Sequence, residues 1–157
     1  MAHFAEVNSS NEVLRVVVIS NTDVDANGGD QHADAETFVT NLLGHESGGV
    51  AWKQTSFNHN FRKQYAGMGM VYNASKNKFL GVQPFASWAL DDSDDWKSPI
   101  TYPSVVDDGK DTPSWTYIIS WNETKYDADN DTGWEATKSN DDAETKTVYD
   151  WNGSAWA

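Results

Sequence analysis

The densest grouping of oxygen ligands in the chain is Asp23-Val24-Asp25-Ala26-Asn27-Gly28, followed six residues on by Asp34. Asp23, Asp25 and Asn27 fall at positions 1, 3 and 5 of a calcium loop, with glycine at 6 to allow the sharp bend and Asp34 at 12. Calcium is the one cofactor this spacing suggests. Asp34 is shorter than the glutamate that closes such loops, and the run follows a predicted strand rather than a helix. An ordinary solvated Asp/Asn/Gly turn accounts for the same residues and is preferred. In a second run, Asp127 to Gly133, the glycine falls at 7 and the match is weaker. The four histidines, at 3, 32, 45 and 59, lack the HxH or HExxH spacing of zinc sites. Gly67-Met68-Gly69 lacks the rest of a phosphate-binding loop, and no serine sits in a GxSxG elbow. Asp91-Asp92 and Asp94-Asp95 crowd one turn, where water keeps carboxylates ordinary. The expectation is a protein that is not an enzyme, with no catalytic residues.

Binding is the remaining chemistry. The chain carries 8 Trp, 6 Tyr and 6 Phe, and large rigid rings are efficient anchors at interfaces or on sugar faces. Leucine is scarce, so most tryptophans are expected in the core: Trp52, Trp88, Trp96, Trp115, Trp121 and Trp134. Trp151 and Trp156, on a terminal hairpin, are expected to be more available to a partner. Arg62-Lys63 is a lone basic pair in an acidic chain and suits an acidic neighbour. With Tyr65, Trp88 and Trp96, these residues make the set of interface candidates.

The elements that position them read as mainly β with one helix, an α+β chain. A hairpin is expected over 3–19, turning at Asn8 to Asn11, then a polar loop over 21–32. The helix spans Ala33–Leu43, with Phe38, Leu42 and Leu43 on its apolar face and Gly44 as its stop. Strands are expected over 50–57 and 65–72. Aromatic-rich hairpins follow at 71–84 and 88–99, each opened by Asn or Asp and ended by proline. Beyond them lie a strand over 114–121, a long acidic turn, a polar loop over 138–146 and a final hairpin around Asn152-Gly153. Prolines at 103 and 113 mark the expected boundary: residues 1–103 form an N-terminal α+β domain, 104–113 a linker and 114–157 an aromatic β-hairpin extension.

The net charge of −13 opposes nucleic-acid phosphates and anionic lipid, so neither is an expected partner. The chain has no cysteine and hence no disulfide. Its opening residues lack the pattern of a signal peptide, and its longest apolar run is too short to span a membrane. Synthesis and retention in the cytoplasm, in soluble form, are the expectation.

Several stretches occur together in a recognisable order. They are Met1 to Val7, Trp52 with Gln54-Thr55-Ser56, Arg62 to Gly69, Pro84 to Asp91 followed by Trp96, Tyr102-Pro103, and Asp107 to Lys110. In this combination residues 1–121 resemble the short, tryptophan-rich proteins of marine tailed phages, cyanophages and their relatives. The acidic turns from Asp127 to Asp142 depart from that pattern. The resemblance implies a virion structural protein, made in the host cytoplasm, decorating the capsid. Its implied partners are other virion proteins, the major capsid protein foremost, and further copies of itself. Strand edges or aromatic anchors would do the docking, with the N-terminal hairpin as one candidate edge and the 62–103 stretch with its flanking strands as the docking scaffold. The alternative is a tail-associated receptor- or glycan-binding module working through the C-terminal aromatic hairpins. A free modulator of a host enzyme is a third reading.

Overall fold

The computed structural model describes all 157 residues, which divide into two compact units, Met1–Val82 and Gln83–Ala157. The chain is α+β and mainly β, built from short antiparallel strands.

In the N-terminal unit β1 (Ala2–Val7) and β2 (Val13–Ile19) form the expected hairpin. The Asn8 side chain closes it by accepting from the backbone N–H groups of Ser10 and Glu12, each at 2.9 Å. The third strand, β3 (Ala51–Thr55), pairs on the other side of β1, giving the order β2-β1-β3. Successive residues of β1 point to opposite faces, and both faces are covered. Phe4 packs with Trp52, Ile19, Val24, Ala35 and Val39 beneath two helices, α1 (Asn21–Ala26) and α2 (Ala33–Leu43). Ala5 and Val7 pack with Val13, Ala66, Tyr72 and Phe79 on the other face. Tyr72 and Phe79 come from a second hairpin, β4 (Val71–Asn73) and β5 (Lys78–Leu80).

Helix α2 has the predicted bounds and ends at Gly44, whose φ of 58° is one glycine tolerates best. Its buried residues are Ala35 and Val39; Leu42, expected on the apolar face, is 57% exposed. The expected loop over 21–32 instead opens with α1. Ser20 caps it by accepting from Thr22 N–H at 3.2 Å, and the buried Val24 anchors it. The strand expected over 65–72 is confined to Val71–Asn73. Residues before it form an irregular segment in which Gly69 adopts φ 80° and donates to Val13 O.

In the C-terminal unit β6 (Ala89–Leu90) and β7 (Trp96–Lys97) form one hairpin. A three-stranded sheet follows: β8 (Tyr117–Trp121), β9 (Trp134–Lys138) and β10 (Tyr149–Asp150), in the order β10-β9-β8. The acidic stretch after β8 contains a short helix, α3 (Glu123–Ala128), capped by Asn122. The two unforeseen helices are six residues each, too short for an apolar period to reveal them. Trp121, Trp134 and Trp151 form the core, with Phe85, Trp88 and Ile100 packed against them.

That packing moves the boundary. Residues 83–103, expected in the N-terminal domain, belong to the C-terminal unit because Phe85, Trp88 and Ile100 complete its core. The expected linker also lies inside this unit. Asp107 bridges to Thr116, and Val106 O accepts from Tyr117 N–H at 2.8 Å.

Candidate functional site

Arg62, expected at an interface, is an internal residue. Its side chain is 6% exposed. Nη1 donates to Glu36 Oε1 and to the carbonyl of Gln54, both at 2.8 Å, and Nε donates to Asn77 Oδ1 at 2.9 Å. Glu36 in turn accepts from the backbone N–H of Gln54 at 3.3 Å and from Lys53 Nζ at 2.6 Å. An outward-facing N–H and C=O of β3 are therefore both held by side chains. The guanidinium and carboxylate close that edge of the sheet against further strands.

The opposite edge has no such cap. Because Gln54 turns its backbone groups away from β1, its partner Phe4 directs its own toward Val17 of β2. Val16 and Val18 consequently point their N–H and C=O groups off the sheet, and nothing in the chain bonds them. Only Val13, at the start of β2, is covered, by Gly69 and Met70. The open run contains no lysine and no proline, the usual edge guards. Its one charge, Arg15, is turned to the fully buried carboxylate of Glu6 at 2.6 Å.

One strand in from this edge lies an aromatic group built on His3. Val18 is 50% exposed and sits across the ladder from His3. The His3 ring stacks on Phe57 at 5.6 Å and meets the edge of Tyr65 at 5.3 Å, while Phe57 and Tyr65 lie 5.4 Å apart. Tyr65, an interface candidate, is thus half-buried against His3, one strand in from the open edge. Burial, and then the charge of the chain's amino group, push the His3 imidazole below its ordinary pKa. Lys63, half-buried, adopts a positive φ of 69°.

The tryptophan candidates lie in the C-terminal unit. Trp151, expected to be available, is 6% exposed and part of the core. Trp156 packs on Trp151 and Tyr117, each at about 5 Å, and its indole N–H donates to Val105 O at 2.7 Å. Asp150 and Ala157 exchange backbone bonds, folding the terminal hairpin back over Trp151. Trp88 sits among Phe85, Trp121 and Trp134. Trp96 is half-buried opposite Leu90. Of these four, Trp151, Trp88 and Trp156 belong to the unit's core cluster.

The calcium-loop residues are not gathered as a loop. Asp23 and Asp25 lie two apart on α1 and diverge, as helical neighbours at that spacing do. Asn27 caps the end of α1 and donates to Asp23 O at 2.7 Å, and Asp34 opens α2. No group of three or more His, Asp or Glu side chains is placed to hold a metal ion. No helix is long and apolar enough to cross a membrane.

Sequence reasoning named the N-terminal hairpin as a candidate edge but did not single out Val16, Val18 or Phe57. The valine run was legible as a strand, but the exposure of Val18 was not, and which of its edges stays unpaired is a property of the sheet order. Compared with family models, with curated proteins and with solved structures, the chain matches none.

Proposed function

We propose that the chain is a non-enzymatic accessory structural protein of a phage particle, attaching to the capsid surface through the open edge of β2. One observation carries the reading: of the two edges of the N-terminal sheet, β3 is closed by Arg62 and Glu36, while β2 presents Val16 and Val18 unpaired. Such an edge accepts an extended segment of a neighbouring subunit as a further strand, with main-chain bonds giving affinity. The exposed Val18 on it adds apolar area at the contact. The resemblance of residues 1–121 to marine phage proteins supports the particle as the setting, and the major capsid protein as the partner. The charge of −13 fits docking to protein rather than to packaged nucleic acid.

The test mixes purified protein with undecorated phage heads and images them by cryo-electron microscopy. Density at regular lattice positions is expected. Val18→Pro should abolish it, since it removes an N–H that points off the sheet and leaves the β1–β2 ladder intact. Bare heads, or unchanged decoration by V18P, would overturn the proposal. Density on tails alone would favour the recognition module instead.

A further inference from the structure

We infer that the cleft between the start of β1, helix α1 and the turn after β3 is a binding site for a neutral saccharide. The cleft has a volume of about 200 Å3, the scale of a single sugar ring. Its floor is fixed by Gln54, 1% exposed, whose amide is bonded at both its oxygen and its nitrogen. Oε1 accepts from Gln31 N–H at 2.5 Å, and Nε2 donates to Asp30 Oδ1 at 2.6 Å. Around that floor stand Asn21, Asp25, Asn58 and Asn60, whose side chains make no hydrogen bond within the chain. Amides donate and accept, carboxylates accept, and a sugar hydroxyl does both, so this mixed set suits a polyhydroxylated ligand.

The rim supplies the other half of sugar recognition. Phe57 is 63% exposed, yet its ring is held by the His3 stack and the Tyr65 edge. A ring fixed in advance offers its face to the C–H side of a sugar at little entropic cost. Charge sets the class. Asp25 and Asp30 line the cleft and no lysine or arginine does, so two carboxylates outweigh the Met1 amino group beside them. Uronates, sialic acids and sugar phosphates would meet repulsion there; neutral hexoses and N-acetylhexosamines would not.

The inference is independent of capsid attachment, because it uses Phe57, Asn58 and Asn60 rather than the β2 edge. The experiment is a titration of the full-length 15N-labelled protein, followed by two-dimensional NMR. Glucose, galactose, mannose and N-acetylglucosamine are added to tens of millimolar, with glucuronate and N-acetylneuraminate as the acidic comparison. At least one neutral sugar should give saturable shifts confined to residues 21–31 and 54–61. N58A/N60A, changes in an exposed turn, should weaken that binding about tenfold or more while the remaining resonances stay in place. F57A should act in the same direction, and V18P should leave it unchanged. The proposal is overturned if no neutral sugar shifts these amides, if acidic sugars bind equally well, or if the shifts centre on Trp156 and its neighbours.

Discussion

Replacing Arg62 by methionine is the sharpest perturbation of the N-terminal unit. Methionine keeps most of the aliphatic volume but removes every donor. Three acceptors lose a partner: Glu36 Oε1, the Gln54 carbonyl and Asn77 Oδ1. Removing one member of a buried ion pair typically costs about 3–5 kcal/mol, because the other charge stays desolvated. Here Glu36 keeps Lys53 on its second oxygen and Gln54 N–H on its first, and Asn77 keeps the Tyr72 hydroxyl. The cost should therefore sit at the low end, about 3 kcal/mol. With a urea dependence of about 1.5 kcal/mol per molar, the midpoint should fall by about 2 M. NMR peak intensities from residues 1–82, followed through a urea titration, read this unit apart from the other. R62K should recover little, since one ammonium cannot reach all three acceptors as the guanidinium fork does. A second consequence follows from the uncapped β3 edge: R62M should self-associate at lower concentration than wild type. A loss below about 1 kcal/mol would mean that Arg62 behaves as an exposed surface cation. The edge-cap argument would then fail, and Arg62 would return to the interface.

Two further predictions concern the C-terminal unit, which holds every tryptophan except Trp52 and so can be followed by indole fluorescence. At Gly133, φ is +149° and a Cβ would lie 2.6 Å from the Trp121 ring, so G133A should cost about 2–4 kcal/mol through backbone strain and overpacking; an unchanged urea midpoint would refute this. The carboxyls of Glu123, Asp108 and Asp141 are all held below their ordinary pKa. The Trp121 indole N–H leads for Glu123, with Ser87 adding to it; Lys110 leads for Asp108, and the Thr147 backbone N–H for Asp141. A carboxylate with a lower pKa folded than unfolded binds fewer protons in the native state. Its contribution is complete above the unfolded pKa and is lost as pH falls through the folded value. The urea midpoint of this unit should hold from pH 7 to 5 and drop below pH 4; E123Q should flatten part of that drop, and an identical pH profile would count against the Trp121–Glu123 bond.

Much of the architecture was legible because its signals are local. Alternation and an Asn-rich turn gave the hairpin of β1 and β2. An apolar period and Gly44 gave α2 to the residue, and two Asn/Asp turns gave the short hairpins. Helix α1 was hidden because Asp, Asn and Gly favour turns as strongly as caps, and only the burial of Val24 under the sheet selects the helix. The boundary was misplaced because prolines at 103 and 113 look like a linker, whereas Phe85, Trp88 and Ile100 are drawn C-terminally by a core assembled from residues 121, 134 and 151.

Composition alone determined that tryptophan must do the work of the missing leucine, and that the surface is acidic. Which rings are buried was decided by tertiary packing. Trp151 lies inside because Asp150 and Ala157 close the terminal hairpin over it, and Phe57 lies outside because His3 and Tyr65 hold it there. Arg62 makes the same point for charge. A cation read in sequence is a candidate for any anion in reach, but the fold brings Glu36, 26 residues away, against it. Long-range register, which no local pattern encodes, thereby turned an apparent contact residue into the guard of one sheet edge and left the other edge open.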